Sequence, residues 1–264
     1  MAAPTIPQLF DLSGRTALLT GGSGYLGAAF GAALAEAGAH VIVSSRDPER
    51  AREAASRLPR RPGQQHFGIE LDHQRPDDCP AWFTQALGCT GQIDVLINNG
   101  NEAVGADLTT VTPEQFSRQL ANATGYFVLA RLLRDHVVAR QAPGSIVMLG
   151  SMYGVVGSYP DAYAGVCAAS PVGYHALKGG IVHMTRHLAV YWARDRVRVN
   201  CLSPGPFPSE KAPAQMVERL CEKSPMGRMG RPDELKGALV FLSSEASSYI
   251  TGQNLLVDGG WTAW

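Results

Sequence analysis

Thr16-Ala17-Leu18-Leu19-Thr20-Gly21-Gly22-Ser23-Gly24-Tyr25-Leu26-Gly27 is the stretch whose reading decides the fold. Four residues of strand character run into closely spaced glycines, and the alanine-rich continuation to Gly38 has the composition of a helix. Gly22, Gly24 and Gly27 fit G-x-G-x-x-G. In that pattern the early glycines let the backbone approach a pyrophosphate at a helix N-terminus, and the last allows close helix packing. Alone the pattern is weak, because a tight turn without a ligand uses the same residues. Here a strand precedes it, a helix follows, and His40-Val41-Ile42-Val43 reads as a second strand, which is the context a dinucleotide site requires.

Outward from this unit the same rhythm continues. Phe67–Leu71, Ile93–Ile97, Ile146–Leu149, Val197–Leu202 and Leu255–Val257 read as further strands, with helical stretches between them and no internal repeat. The expectation is an α/β chain forming one domain over 1–264, a Rossmann fold whose doubly wound parallel sheet has helices on both faces. Residues 1–12 read as a tail. Lys plus Arg equal Asp plus Glu at 23 each, so no net field favours nucleic acid or an anionic membrane, and a small-molecule substrate is expected instead. Five cysteines show no C-x-x-C pair and no zinc-ligand spacing, so no metal is expected and reduced thiols in a cytoplasmic protein fit best. No secretory leader and no apolar run long enough to span a bilayer are recognisable.

Open parallel sheets bind ligands beyond the carboxyl ends of their strands, so the residues there are the candidates. Ser44-Ser45-Arg46 ends the second strand, where a carboxylate would accept from an adenosine ribose hydroxyl. An arginine there donates to a 2′-phosphate, which favours NADP over NAD, although a solvated arginine beside Asp47 and Glu49 has the same sequence. Asp72 ends the third strand, facing a cofactor base or capping the next segment. Asn98-Asn99-Gly100-Asn101 ends the fourth and serves equally as a turn.

Thr112-Pro113-Glu114-Gln115 is a capping-box helix start, and Phe116, Leu120, Ala123 and Phe127 are taken as the buried stripe of that helix. Asn122 falls beside the stripe, a candidate polar member of a site or a surface residue. Ser151 follows the fifth strand. The stretch 153–173 shows no lasting periodicity and reads as a long loop; 206–231, after Ser203-Pro204-Gly205, reads as a mobile segment.

Between them lies Tyr174-His175-Ala176-Leu177-Lys178. Leu177, Ile181, Met184 and Leu188 give helical spacing, which sets Tyr174 and Lys178 one turn apart on one face. An ammonium beside a phenol favours the phenolate and makes the pair a tuned proton donor and acceptor. Gly179-Gly180 directly after it is costly in a helix, at about 1 kcal/mol each, and suggests a close approach by a ligand or another helix.

Taken together, Thr20-Gly21, Gly24, Gly27, Asp72, Asn98-Asn99-Gly100, Asn122, Ser151, Tyr174 with Lys178, Asn200 with Pro204-Gly205, and Val257-Asp258-Gly259-Gly260 resemble the short-chain dehydrogenase/reductase family. The C-terminal run from Gly259 to Trp264 is similar to gluconate 5-dehydrogenase-like members. The resemblance implies seven parallel strands and a tetrad. In it Tyr174 transfers the proton, Ser151 holds the substrate oxygen, Lys178 lowers the phenol pKa and binds the nicotinamide ribose, and Asn122 holds a relay water. It also implies cofactor contacts from Gly21, Ser23, Gly24, Tyr25, Leu26, Ser45, Arg46, Asp72, Asn99, Tyr174, Lys178, Pro204, Gly205 and Phe207. Three departures stand out. Tyr25 stands where a glycine is usual; Gly100-Asn101, followed by Glu102, replaces the family's Ala-Gly; and Ser151 and Tyr174 are 23 apart, so 153–173 holds an insertion expected over the substrate mouth.

The expected activity is hydride transfer between NADP(H), or NAD(H), and a secondary alcohol or ketone of a small polar substrate such as a sugar, sugar acid or polyol. A 3-oxoacyl-thioester reductase is the alternative enzyme, disfavoured by the polar look of Tyr159, Asp161 and Tyr163. A non-catalytic NADP(H) sensor has no need of a tuned phenol. Val128, Leu132, Leu133, Val182, Val190 and Trp192 give the two long helices a second apolar face, and with the resemblance this predicts a homotetramer or a dimer. Tyr163 is closer to the usual spacing from Ser151 than Tyr174. Cys167, four beyond Tyr163, offers no cation, so Tyr174 is the chosen acid/base.

Overall fold

Leu18 and Leu19 are both fully buried, yet they belong to opposite core layers. That follows from a strand covered on both faces, whose successive side chains point to opposite sides and must both be apolar. The strand is β1 (Thr16–Leu19), and with β2 (His40–Ser45), β3 (His66–Glu70), β4 (Val95–Asn98), β5 (Gly144–Leu149), β6 (Val197–Pro204) and β7 (Asn254–Val257) it forms one parallel sheet in the order 3-2-1-4-5-6-7. The computed structural model describes residues 3–105 and 108–263. Met1, Ala2 and Trp264, which bear on the expected tail and C-terminal run, lie outside the described residues.

One core layer joins Leu18, Ile42, Leu96 and Met148 of the sheet to Tyr126, Leu129 and Leu133 of α5 (Pro113–Ala139) and to Leu177 and Ile181 of α7 (Val172–Trp192). The other joins Leu19, Val41, Ile97 and Val147 to Phe30 and Leu34 of α2 (Tyr25–Glu36) and to Leu239 of α9 (Lys236–Ser243). α3 (Pro48–Ser56) and α4 (Cys79–Thr90) complete the two layers of this doubly wound α/β fold. The strand order reverses between β1 and β4, where a crevice opens at the carboxyl ends.

Several local expectations need correction. The tail carries a short helix, α1 (Ile6–Leu9), because Gln8 bonds back to Thr5. The helix α5 does begin with the Thr112 capping box, but its buried stripe is Gln119, Asn122, Tyr126, Leu129, Leu133 and Val137. Phe127 is 36 % exposed, and Phe116, Leu120 and Ala123 are only half-buried. Hydrophobicity misplaced the stripe because two polar residues occupy buried positions on it: Gln119 Oε1 accepts from the Val104 amide while its Nε2 is left without a partner, and Asn122 Nδ2 donates to the Gln119 carbonyl. Of the expected second apolar face, Leu133 and Val182 are core residues; Val128, Leu132 and Trp192 are half-buried and Val190 is exposed. A Cβ added at Gly179 would meet only the Gly154 carbonyl oxygen, at an ordinary 3.6 Å, and one at Gly180 nothing within 4 Å, so no neighbouring helix makes the expected close approach there.

The stretch 153–173 is not featureless: a 3-10 turn (Met152–Gly154) and α6 (Pro160–Tyr163) interrupt it. Likewise 206–231 contains α8 (Ala214–Lys223), and the last helix opens with a 3-10 turn at Pro232–Leu235. These pieces explain each other. Met152, Ala162, Leu220 and Trp261 form a separate buried cluster with Tyr159, Tyr163 and Met216 around it, too short in sequence to show a period.

Candidate active site

A groove of about 670 Å³ runs along the carboxyl ends of the strands, a size usual for a ligand pocket. From the glycine turn it is lined by Gly21, Ser23, Gly24, Tyr25 and Leu26; from the end of β2 by Ser45 and Arg46; and after β3 and β4 by Asp72 and Asn99. Ser151, Tyr174, Lys178, Pro204, Gly205 and Phe207 line its other part. All the expected cofactor-side residues therefore border one groove. Asn122 does not line it.

The turn is built for close approach. A Cβ at Gly27 would stand 2.3 Å from the Gly21 carbonyl oxygen, so only glycine lets α2 start against the loop. Gly21 itself has φ +62°, a left-handed conformation. Thr20 Oγ1 accepts from the amides of Asn99 and Gly100, each at 2.9 Å, and Asn99 Nδ2 donates to the Thr20 and Gly21 carbonyls at 2.9 and 3.1 Å. Asn99 thus ties the end of β4 to the glycine turn. Gly24 caps α2 without a side-chain hydrogen bond, which leaves first-turn amides able to meet phosphate oxygens. Tyr25 keeps its glycine-replacing side chain clear of the turn by reaching outward, where its hydroxyl donates to the Pro208 carbonyl at 3.0 Å. These features fit a dinucleotide pyrophosphate.

At the other end, α7 delivers Tyr174 and Lys178. Lys178 is 3 % exposed and its Nζ donates to the Leu149 carbonyl at 2.7 Å. Burial pulls its pKa down from 10.5 to about 8, and among the described residues no carboxylate stands within 4 Å of it. Its Nζ lies 5.5 Å from the Tyr174 ring centre and 6.0 Å from that of Tyr126. The Tyr174 phenol is pushed above its ordinary value by burial, and the neighbouring Ser151 hydroxyl draws it back. Desolvation is the largest influence on the phenol, and the Lys178 amine is directed to the Leu149 carbonyl. Ser151 Oγ also accepts from the Tyr153 amide at 3.1 Å.

Asn122 sits differently from its expected place. Its Oδ1 accepts from the Glu102 amide at 2.8 Å and stands 2.7 Å from His73 Nε2; its Nδ2 donates to the carbonyls of Gln119 and Glu102 at 2.8 and 3.1 Å. The side chain is fully used in bracing the segments after β3 and β4. Asp72 takes the capping alternative, accepting from the Gln74 amide at 3.0 Å while bordering the groove.

No residue from 153 to 173 lines the groove; the segment packs on α8 and Trp261. Its polar groups serve internal contacts: Tyr163 bonds Tyr153 between hydroxyls at 2.7 Å, and Asp161 pairs with Lys223 at 2.6 Å. Among the residues that the sequence did not mark as part of the site, three stand out. His73 and Arg50 line the groove with no periodic signal to mark them, and Tyr126 is fully buried beside Lys178 with an unpartnered hydroxyl. The spacing of Tyr126, four after Asn122, was the available clue.

A family profile described as Enoyl-(Acyl carrier protein) reductase matches residues 24–262. The chain belongs to the short-chain dehydrogenase/reductase family. It is 32 % identical to the sorbose reductase of Schizosaccharomyces pombe, over 96 % of this chain and 98 % of that one. It is 30 % identical to 3beta-hydroxysteroid dehydrogenase 1 of Eggerthella lenta, over 96 % of each. Among solved structures, the gluconate 5-dehydrogenase of Burkholderia cenocepacia in complex with NADP and tartrate aligns with a TM-score of 0.88 at 31 % identity, covering 98 % of this chain and all of that one. This short-chain dehydrogenase/reductase is accordingly an NAD(P)-dependent oxidoreductase.

Proposed function

We propose that the chain interconverts a secondary alcohol and a ketone on a small polar substrate, a sugar, sugar acid or polyol, with NADP(H) preferred over NAD(H). The observation that carries this is the convergence of Ser151, Tyr174 and Lys178 on the same groove that Ser45 and Arg46 border. When bound, the nicotinamide supplies or accepts the hydride. Tyr174 gives its proton to the substrate oxygen in reduction and takes it back in oxidation, and Ser151 holds that oxygen by a hydrogen bond. Lys178 would hold the nicotinamide ribose, and its charge would support the phenolate. Asn122 braces the walls of the site through the Glu102 and His73 segments. Gly21, Ser23, Gly24, Tyr25 and Leu26 would hold the pyrophosphate; Ser45 and Arg46 would hold the 2′-phosphate; Asp72, Asn99, Pro204, Gly205 and Phe207 would complete the cofactor walls. Support for the substrate class comes from the sorbose reductase and gluconate 5-dehydrogenase likenesses. The profile description and the steroid-acting relative favour one second reading, an apolar or 3-oxoacyl-thioester substrate under the methionine-rich cluster around Trp261.

A nicotinamide absorbance assay across sugars, sugar acids, polyols, 3-oxoacyl esters and steroids separates the two. Turnover confined to the last two classes would reject the polar reading.

We also assign the exposed Val190 and Tyr191 of α7 and Phe127 of α5 to a contact between copies, as a homotetramer or a dimer. A monomer by light scattering at micromolar concentration would reject it. Five unpaired cysteines suit a cytoplasmic setting.

A further inference from the structure

The residue after Gly100-Asn101 has a place of its own on the groove. Glu102 is anchored through its backbone, its amide donating to Asn122 Oδ1 at 2.8 Å and its carbonyl accepting from Asn122 Nδ2 at 3.1 Å. Its side chain is only 14 % exposed and meets two guanidiniums. Arg118 is the nearer partner, and Arg46 Nη1 stands 3.5 Å from Glu102 Oε2. Both Glu102 and Arg46 line the groove. The acid is fixed; the arginine, with a side chain 63 % exposed, is the member free to swing. Asp47, next to Arg46, does not compete, because its carboxylate caps α3 by accepting from the amides of Glu49 and Arg50. Among the described residues Glu102 is the one carboxylate within 4 Å of Arg46.

We propose that Glu102 limits the cofactor preference of this site by competing with the 2′-phosphate of NADP(H) for Arg46. The proposal rests on the NADP(H) reading above and refines it. To bind the phosphate, Arg46 must leave Glu102 or be shared between two anions, and each arrangement weakens phosphate binding. Arg118 does not remove the competition, since it compensates the carboxylate without releasing Arg46. NAD(H) has no phosphate at this position, so its binding leaves the Arg46–Glu102 pair intact. The acid therefore tunes the ratio of the two cofactors and leaves the hydride-transfer chemistry alone. Because the pair is partly in water, its effect is a modest factor.

The test is a titration of NADPH and NADH, followed by nicotinamide fluorescence, on the full-length protein and on Arg46→Ala, Glu102→Gln and the double variant. Glutamine keeps the backbone bonds to Asn122 and an oxygen for Arg118. Glu102→Gln is expected to tighten NADPH by roughly three- to tenfold and to leave NADH within about twofold. In the Arg46→Ala background most of that gain disappears. A weakening of NADPH by Glu102→Gln would mean that the acid positions Arg46 for the phosphate, and the proposal fails. It fails too if NADPH and NADH shift equally, if neither shifts, or if the gain is as large without Arg46. Failure of the underlying cofactor reading looks different: the unmodified protein would bind NADH at least as tightly as NADPH, and Arg46→Ala would leave NADPH unchanged. Equal melting temperatures for the unmodified protein and Glu102→Gln confirm that a repacked loop is not the cause.

Discussion

The two ends of the groove use opposite physics. At one end Lys178, 3 % exposed and with a single hydrogen bond to the Leu149 carbonyl, stands beside Tyr174 in surroundings that move both pKa values by desolvation. At the other, Arg46 is 63 % exposed and shares Glu102 with Arg118. Buried groups with few partners change their chemistry; solvated groups with many partners change mainly their preferences. Single substitutions at the first end should therefore act by orders of magnitude and at the second by modest factors.

The largest effect is expected at the phenol. Tyr174→Phe should lower turnover by roughly 10²–10⁴-fold, the usual worth of a positioned proton-transfer group, with cofactor binding by fluorescence little changed. If Tyr163→Phe abolished turnover and Tyr174→Phe did not, the assignment of the two tyrosines would be reversed.

Lys178 tests the same end through stability. Its folded pKa of about 8 lies below the 10.5 of an ordinary lysine, so between those values the unfolded chain binds more protons and stability from this group rises with pH. Below the folded value the burial penalty is fully present, on the order of 3 kcal/mol. Without added cofactor, Lys178→Met should raise the melting temperature at pH 7, and the advantage should shrink as pH rises through 8 towards 10.5. A pH-independent difference would show that the amine titrates normally.

At the exposed end the factors fall. A hydrogen bond to a charged group is worth about 1.5–3 kcal/mol, or roughly ten- to two-hundredfold, and the exposure of Arg46 argues for the low end of that range. Arg46→Ala should weaken NADPH by about tenfold and spare NADH, while Ser45→Asp should reverse the preference. Better catalytic efficiency with NAD in the unmodified protein would contradict this.

The smallest change is expected in the insertion. Tyr163 bonds Tyr153, whose ring stacks on His175 at 4.6 Å, directly after Tyr174. Tyr163→Phe should alter KM by about threefold with kcat nearly unchanged, as expected for loss of one neutral hydrogen bond at a distance from the chemistry. A large loss of kcat would place this tyrosine in the proton path.

Legibility in the sequence followed the same division. The strands could be read because residues such as Leu18 and Leu19 must both be buried, and the pairing of Tyr174 with Lys178 on the groove could be read because one helical turn fixes it. The place of Asn122 could not, because its partners His73 and Glu102 stand 49 and 20 positions away and no local period records them. The contacts of the insertion were hidden for a related reason. Tyr159, Asp161 and Tyr163 look polar one by one, yet each finds a partner from Trp261, Lys223 or Tyr153.

The sequence by itself determined the parallel sheet, the glycine turn and the residues that border the groove, since short-range sterics and the periods of helix and strand act between near neighbours. Only the tertiary structure decided that the amine of Lys178 turns to Leu149, that Asn122 braces two loops, and that Glu102 pairs with Arg46 on the groove. Desolvation and charge pairing depend on which distant segments come together, and that is a property of the folded chain.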